Sequence, residues 1–333
     1  MVKIPIWGET IPYNKPESKL PDMVIKGNPN VVIQTLRYVL SIRGEKYKDK
    51  RRTMDTFTYV SAIKRSHAKE TYEDAPYLVP FPVAGSDKAV IVVPGGGFAY
   101  KSSDTDGDGK QGEGDLVARE LNKAGISAFV LWYRTNPYRF PAPLLDMQRA
   151  VRYLRFHAAD YGIDPNKIGA VGFSAGGYEI AGLMNILAGK NCFPEGYVPD
   201  AVDAVSDKLN QAGLIYPCLT FQYNKPMLAC CFSADQLDTQ AKREALCTRY
   251  DCIQNCHSAD IPQFLCYGTK DILVNPVQHP QYAQALRAAG GSVEIVEVPG
   301  ANHGFGAYEK NREKYGFWIA QYLDWANRVF GET

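Results

Sequence analysis

From residue 77 onward, apolar residues fall into two alternating patterns: short, mostly apolar runs, and longer stretches in which they recur every three or four positions. The short runs cover residues 88–94, 126–133, 167–173, 212–216, 263–267 and 293–298, the last broken by Glu294 and Glu297. Runs of that length predict strands buried on both faces. The stretches at helical spacing cover 115–124, 144–161, 175–187, 279–289 and 312–330. Gly125 and Gly162 follow two of them, where a left-handed residue closes a helix. Strand alternating with helix predicts an α/β architecture, a mostly parallel sheet covered on both sides. Residues 189–260 interrupt the rhythm with a long insertion expected to wall a site. Residues 1–75 read as a separate extension of uncertain structure before a domain over 76–333. Pro5, Pro12, Pro16, Pro21 and Pro29 punctuate it, 31–42 is a helix or a strand, and the basic run 46–52 is a solvated face.

A chain of 333 residues suits one large α/β domain. Lys and Arg number 37 against 36 Asp and Glu, so no long-range field favours nucleic acid or an anionic membrane. No run of about 18 apolar residues predicts a membrane helix. The first residues lack the apolar core of a signal peptide, which predicts a cytoplasmic protein unless a leader has been removed. Of eight cysteines, five lie between Cys230 and Cys256. A chain this large needs no disulfide staples, so reduced, packed thiols are expected. Cys252, Cys256 and His257 approach a metal-ligand spacing without the paired signature of a zinc site.

The sharpest motif is Gly172-Phe-Ser-Ala-Gly176, followed by Gly177. An apolar run precedes it and a helical stretch follows. A tight strand-to-helix turn exposes Ser174 Oγ where a base can take its proton, and the turn requires small neighbours. The helix behind it directs N–H groups at the charge that develops. A second glycine cluster, Pro94-Gly-Gly-Gly-Phe98, follows an earlier strand. Gly96 and Gly97, with the N–H of Ala175, are candidate oxyanion donors, and the N–H of Phe98 is an alternative to one of them. A phosphate loop is disfavoured, because no Lys-Ser/Thr follows.

In such sites the chain order is serine, acid, histidine. His67 and His157 precede Ser174, and His157 suits a helix surface. His257 lies in the insertion and His279 near a helix start. His303 lies in a loop just after the last predicted strand, on the edge that the serine needs. Asp271 follows the end of the preceding strand, where it can accept from Nδ1 of His303 and fix its tautomer. Glu294 and Glu297 lie inside the last strand, and Asp260 precedes its strand on the wrong edge. This chemistry requires no cofactor.

Together these segments resemble the α/β-hydrolase superfamily and, within it, the bacterial acetylesterase and acetyl xylan esterase (BD-FAE-like) group. The resemblance runs over roughly residues 85–330. It includes Leu131-Trp-Tyr-Arg134, the segment Pro141 to Ala150 and the segment Tyr161 to Lys167. It implies an α/β-hydrolase fold and serine hydrolysis of acetyl, sometimes feruloyl, esters of carbohydrates, with a small-molecule or oligosaccharide substrate. A small-amide hydrolase of the arylformamidase kind and a prolyl-oligopeptidase-like peptidase share the triad order. A catalytically dead binding protein typically loses the serine or the histidine, and both are present. Phe98, Trp132 and Tyr216 lie on or beside segments that end near the oxyanion loop. They are expected to line a small acyl pocket, or else simply to be core.

The segment Asp104 to Asp115 places Asp104, Asp106, Asp108, Gly109 and Asp115 at the spacing of a calcium loop. Such a site would be a structural calcium that stiffens the loop beside Gly95. The competing reading is a solvated loop, or one whose Glu113 and Asp115 cap the next helix. If calcium binds, millimolar calcium raises Tm over excess chelator, and Asp106→Asn with Asp108→Asn abolishes the gain. Superimposable melting curves, with no tightly held ion on metal analysis, exclude the site.

Overall fold

A computed structural model describes residues 2–14, 75–98, 101–102, 112–135, 138–224, 227–233 and 236–332. Among them eight strands form one sheet: β1 (Ile4–Pro5), β2 (Tyr77–Phe81), β3 (Ala89–Val93), β4 (Ser127–Trp132), β5 (Ile168–Phe173), β6 (Gln211–Ile215), β7 (Gln263–Gly268) and β8 (Val293–Val298). Their order is β1-β2-β4-β3-β5-β6-β7-β8. From β4 to β8 all neighbours are parallel, whereas β1 and β2 pair antiparallel at one edge. The six expected strands are all present. The two additional ones are β1 and β2. Pro80 interrupts the β2 pattern, and two-residue β1 is too short to produce one.

Alternation along each strand feeds two cores. Ile91, Val93, Phe129, Leu131 and Tyr133 face the side covered by α2 (Ala142–Phe156) and α3 (Ala175–Gly182). Val90, Val92, Val130, Trp132 and Phe264 face α1 (Asp115–Lys123) and the C-terminal helices. Both faces are therefore apolar, as a parallel sheet requires. Among the described residues, the remaining α-helices of seven residues or more are α4 (Gln240–Arg249), α5 (Gln278–Ala288), α6 (Glu309–Tyr315) and α7 (Phe317–Glu332). The single helix expected over 312–330 is thus two. They break at Gly316, where a Cβ would stand 2.5 Å from the Arg312 carbonyl oxygen. Likewise α2 ends at Phe156, and a 3-10 turn over Ala158–Tyr161 closes on left-handed Gly162.

The first residues are fastened to the sheet by buried charge. Asp146 on α2 accepts from Arg134 N (2.9 Å), Nε (2.9 Å) and Nη2 (2.7 Å), and from Trp7 Nε1 (2.9 Å). Arg134 also donates to the Pro12 carbonyl oxygen, and Arg149 to that of Ile6. Arg149 in turn pairs with Asp200 and Asp203. The side chains of Arg134 and Asp146 are fully buried, so neither charge has water to fall back on. Asp146→Ala is expected to cost about 3–5 kcal/mol in urea unfolding, because it strands the guanidinium. Arg134→Met with Asp146→Leu should recover much of that loss.

Candidate active site

Ser174 occupies the turn between β5 and α3 at φ 52°, ψ −114°. Its neighbours must be small. A Cβ on Gly176 would stand 2.1 Å from the Val93 carbonyl oxygen, and one on Gly172 2.4 Å from that of Gly176. The turn is pinned from three sides: Ser174 N–H donates to Ile215 O, and Ser174 O accepts from Tyr178 N and Cys218 N. Ser174 Oγ lies 2.8 Å from Nε2 of His303. Nδ1 of the same ring lies 2.7 Å from Asp271 Oδ2. The other Asp271 oxygen accepts from Leu273 N (2.9 Å) and Val274 N (2.8 Å). With the acid as acceptor, Nδ1 carries the ring proton and Nε2 is free to accept from Oγ. The side chain of Asp271 is wholly buried and that of His303 12% exposed, so only the imidazole meets solvent.

Asn302 is a contributor that sequence reasoning missed. Its Oδ1 accepts from Ile272 N (3.0 Å) and from His303 N (2.8 Å), which joins the loop of the acid to the loop of the base. Lys270 N to Ala301 O and Gly300 N to Thr269 Oγ1 complete the seam. The expected competitors lie elsewhere. Glu297 accepts from Tyr267 Oη, Glu294 pairs with Arg328, and Asp260 pairs with Lys208. His157 faces Asp160 and His257 lines a cleft with Ser206 and Leu209. His279 is buried against the ring of Tyr267, and burial lowers its pKa to about 4. His67 lies outside the described residues.

Beside Ser174, Gly96 and Gly97 hold φ of 131° and 64°, which turn the glycine loop sharply after β3. Ala175 is the first residue of α3, so its N–H has no helical carbonyl to meet. Tyr133 Oη donates to Pro94 O (2.7 Å) and supports the loop from below.

The three rings expected around the acyl group are placed differently from one another. Trp132 is buried on the opposite face of the sheet, stacked on Tyr77 at 5.7 Å, and does not line the pocket. Consecutive strand residues point to opposite faces, so its neighbour Tyr133 reaches the loop instead. Phe98 is buried, at φ 59°, edge-on to Tyr133, Phe140 and Tyr178. Its ring is therefore core beneath the loop. Tyr216 is also buried, but its ring lies 5.0 Å from that of His303.

Asp104, Asp106 and Asp108 lie outside the described residues. Asp115 is buried at the first position of α1. Glu113 neither caps that helix nor faces solvent. It is buried, with Oε2 accepting from Gly95 N (2.9 Å) and Oε1 from Tyr216 Oη (2.7 Å). Burial raises its pKa above the ordinary carboxylate value, and the bonds from Tyr216 and Gly95 oppose the shift. A local reading places an acid before a helix at its cap, and only the tertiary structure turns this one inward. No helix among the described residues is long and apolar enough to cross a membrane.

Comparison with known proteins agrees with this fold. The chain is 27% identical over 231 residues to an acetylxylan esterase of Xylanibacter ruminicola, covering 68% of this chain and 42% of that protein. It is 27% identical over 218 residues to the esterase LipQ of Mycobacterium tuberculosis, covering 65% of this chain and 50% of the relative. It thus spans half or less of the length of these relatives. Among solved structures, it is similar to the acetyl ester-xyloside bifunctional hydrolase from Caldicellulosiruptor lactoaceticus, with a TM-score of 0.65 and 28% identity. That match covers 77% of this chain and 88% of the other. The BD-FAE family model matches residues 79–286, which include Ser174, the glycine loop at 95–97 and Asp271, and with these strands in this order the chain belongs to the BD-FAE family of α/β-hydrolases.

Proposed function

We propose that this protein is a serine carboxylesterase that removes short acyl groups, acetyl foremost, from carbohydrate esters through an acyl-enzyme. The observation that carries the reading is the continuous path Oγ–Nε2, Nδ1–Oδ2, at 2.8 and 2.7 Å, beside a glycine turn. Ser174 Oγ attacks the ester carbonyl as His303 Nε2 takes its proton. The carbonyl oxygen becomes anionic among the N–H groups of the glycine loop and Ala175. His303 then returns the proton to the leaving alcohol. Water attacks the acyl-enzyme with His303 again as base, and Ser174 is released. Asp271 orients the ring and stabilises the imidazolium without itself taking the proton.

The acetyl preference is supported by what fills the space beneath the serine. Tyr178 follows Ser174 by one helical turn and packs against Phe98, Phe140 and Phe221. Phe140 also meets Phe232 and Tyr250, and Tyr178 Oη donates to Tyr250 O. All six rings are buried. A floor of packed aromatics leaves a long chain no place without displacing one of them. The carbohydrate alcohol is supported by the acetylxylan esterase and the acetyl ester-xyloside hydrolase to which the chain is similar.

Ser174→Ala is expected to lower p-nitrophenyl acetate turnover by about 10³-fold or more while the melting curve is retained, and His303→Ala by a comparable amount. Full activity in folded Ser174→Ala would refute the reading. In a p-nitrophenyl ester series, acetate should exceed butyrate, and octanoate should be at least about 10-fold poorer in kcat/KM, since misfit in a packed pocket costs a few kcal/mol. A rise with chain length would refute the packed floor. Acetylated xylo-oligosaccharides, chlorogenate-type esters, N-formyl amides and proline nitroanilides, followed by mass spectrometry, should show release from the first alone. Preferential cleavage of an amide would move the protein to the small-amide hydrolases or the peptidases.

A further inference from the structure

Glu113 has no part in the proton relay just described, yet it touches both loops that flank it. Oε2 accepts from the N–H of Gly95, the residue before the two glycines of the oxyanion turn. Oε1 accepts from Tyr216 Oη, and that hydroxyl accepts from Gly306 N at 3.1 Å, three residues beyond His303. The segment that carries Glu113 is itself bonded to the histidine loop, through Ala307 N to Gly112 O (2.9 Å). The Tyr216 ring lies edge-on to His303 at 5.0 Å and to Phe305 at 4.6 Å. The approach at Gly95 leaves no slack. A Cβ there would stand 2.9 Å from Glu113 Oε2, 2.7 Å from Phe173 O and 3.0 Å from Ser174 Cβ.

Building on the esterase reading, we propose that Glu113 is a positioning residue, whose buried carboxylate ties the oxyanion loop to the His303 loop through Tyr216. The hydrogen-bond directions require a group that accepts on both oxygens. Gly95 N–H can only donate. Tyr216 Oη already receives the Gly306 N–H, so its own proton goes to Oε1. A glutamine of the same volume satisfies one of the two. Its amide N–H would meet either the Gly95 N–H or a hydroxyl whose proton then has no acceptor. Tyr216 adds a second argument. Its backbone stands at φ 37°, a disfavoured conformation for a bulky side chain, which persists only where surrounding contacts determine it. The hydroxyl bonds to Glu113 and Gly306 are two such contacts. A buried carboxylate that merely filled space would need neither two opposed donors nor a strained partner. Here both donors come from the loops whose separation sets the reaction geometry, and the Ser102 side chain, whose backbone N–H bonds Gly95 O, adds a third bond from the glycine-loop side.

The test is steady-state hydrolysis of p-nitrophenyl acetate by wild type, Glu113→Gln, Tyr216→Phe and the double variant, with kcat expressed per site labelled by a fluorophosphonate. Displacing reacting groups by a fraction of an ångström to an ångström costs up to about 10²-fold. Glu113→Gln should therefore lower kcat by about 10- to 100-fold with KM within about 3-fold, since the defect falls on transition-state geometry. Tyr216→Phe should lower kcat by about 10-fold. The double variant should be no worse than Glu113→Gln alone by more than about 3-fold, because the two lie on one path. Affinity for a boronic acid, which mimics the tetrahedral intermediate, should fall in parallel with kcat/KM. Should Glu113→Gln lack a cooperative melt, Tyr216→Phe carries the same kcat and boronate expectations. A labelled-site kcat within about 2-fold of wild type, a change confined to KM, or multiplicative losses in the double variant overturns the proposal while the esterase reading stands. A wild-type protein without ester hydrolysis overturns both.

Discussion

Ser174 holds a backbone conformation that its own side chain disfavours, at a cost on the order of 1–3 kcal/mol. The surrounding structure has to supply that energy. It does so with the ends of β5 and β6, the carbonyl of Val93 at the end of β3, and the first turn of α3. The parallel register of β3, β5 and β6 brings those strand ends to one edge. The sheet is thus the frame that a single strained residue requires. Glycines at 172 and 176 are what let backbone approach backbone closely enough to hold it.

From that point outward the site is organised by access to water. The acid is sealed, the base is barely wetted, and the aromatic floor is dry. Removing solvent strengthens each charge-assisted bond in the relay, because little water competes for the donors. It also makes any buried polar group expensive unless it is fully partnered. Glu113 and Asp146 meet that requirement in different ways. Asp146 is offset by a guanidinium, and Glu113 by neutral donors from two loops.

Much of this could be read from residue order, because the informative signals were local. The nucleophile turn, the glycine turn and the strand-end placement of Asp271 and His303 each lie within a few residues of an apolar run. The failures came where a residue's role depends on a distant partner. Trp132 and Tyr133 differ by one position, and with it by sheet face, so proximity along the chain could not tell which of the two rings lies under the glycine loop and which is core on the other side. Glu113 looked like a helix cap because its partners, Gly95 and Tyr216, are 18 and 103 residues away. The role of Trp7 is set by Asp146, 139 residues on, which no periodicity in the first residues encodes.

The seam between the acid and base loops has a consequence for motion. Backbone and side-chain bonds at Lys270, Ile272 and Gly300, with the His303 ring on Asp271, join the two loops along their length, whereas Ser174 belongs to a different pair of elements. The imidazole and its carboxylate therefore ride together as one rigid piece. Of the two bonds made by the ring, the one to Asp271 lies within that piece, and the 2.8 Å contact with Ser174 Oγ crosses out of it. Under the proposed mechanism, the distance on which proton transfer depends is therefore the one contact of the three residues that spans separately anchored elements.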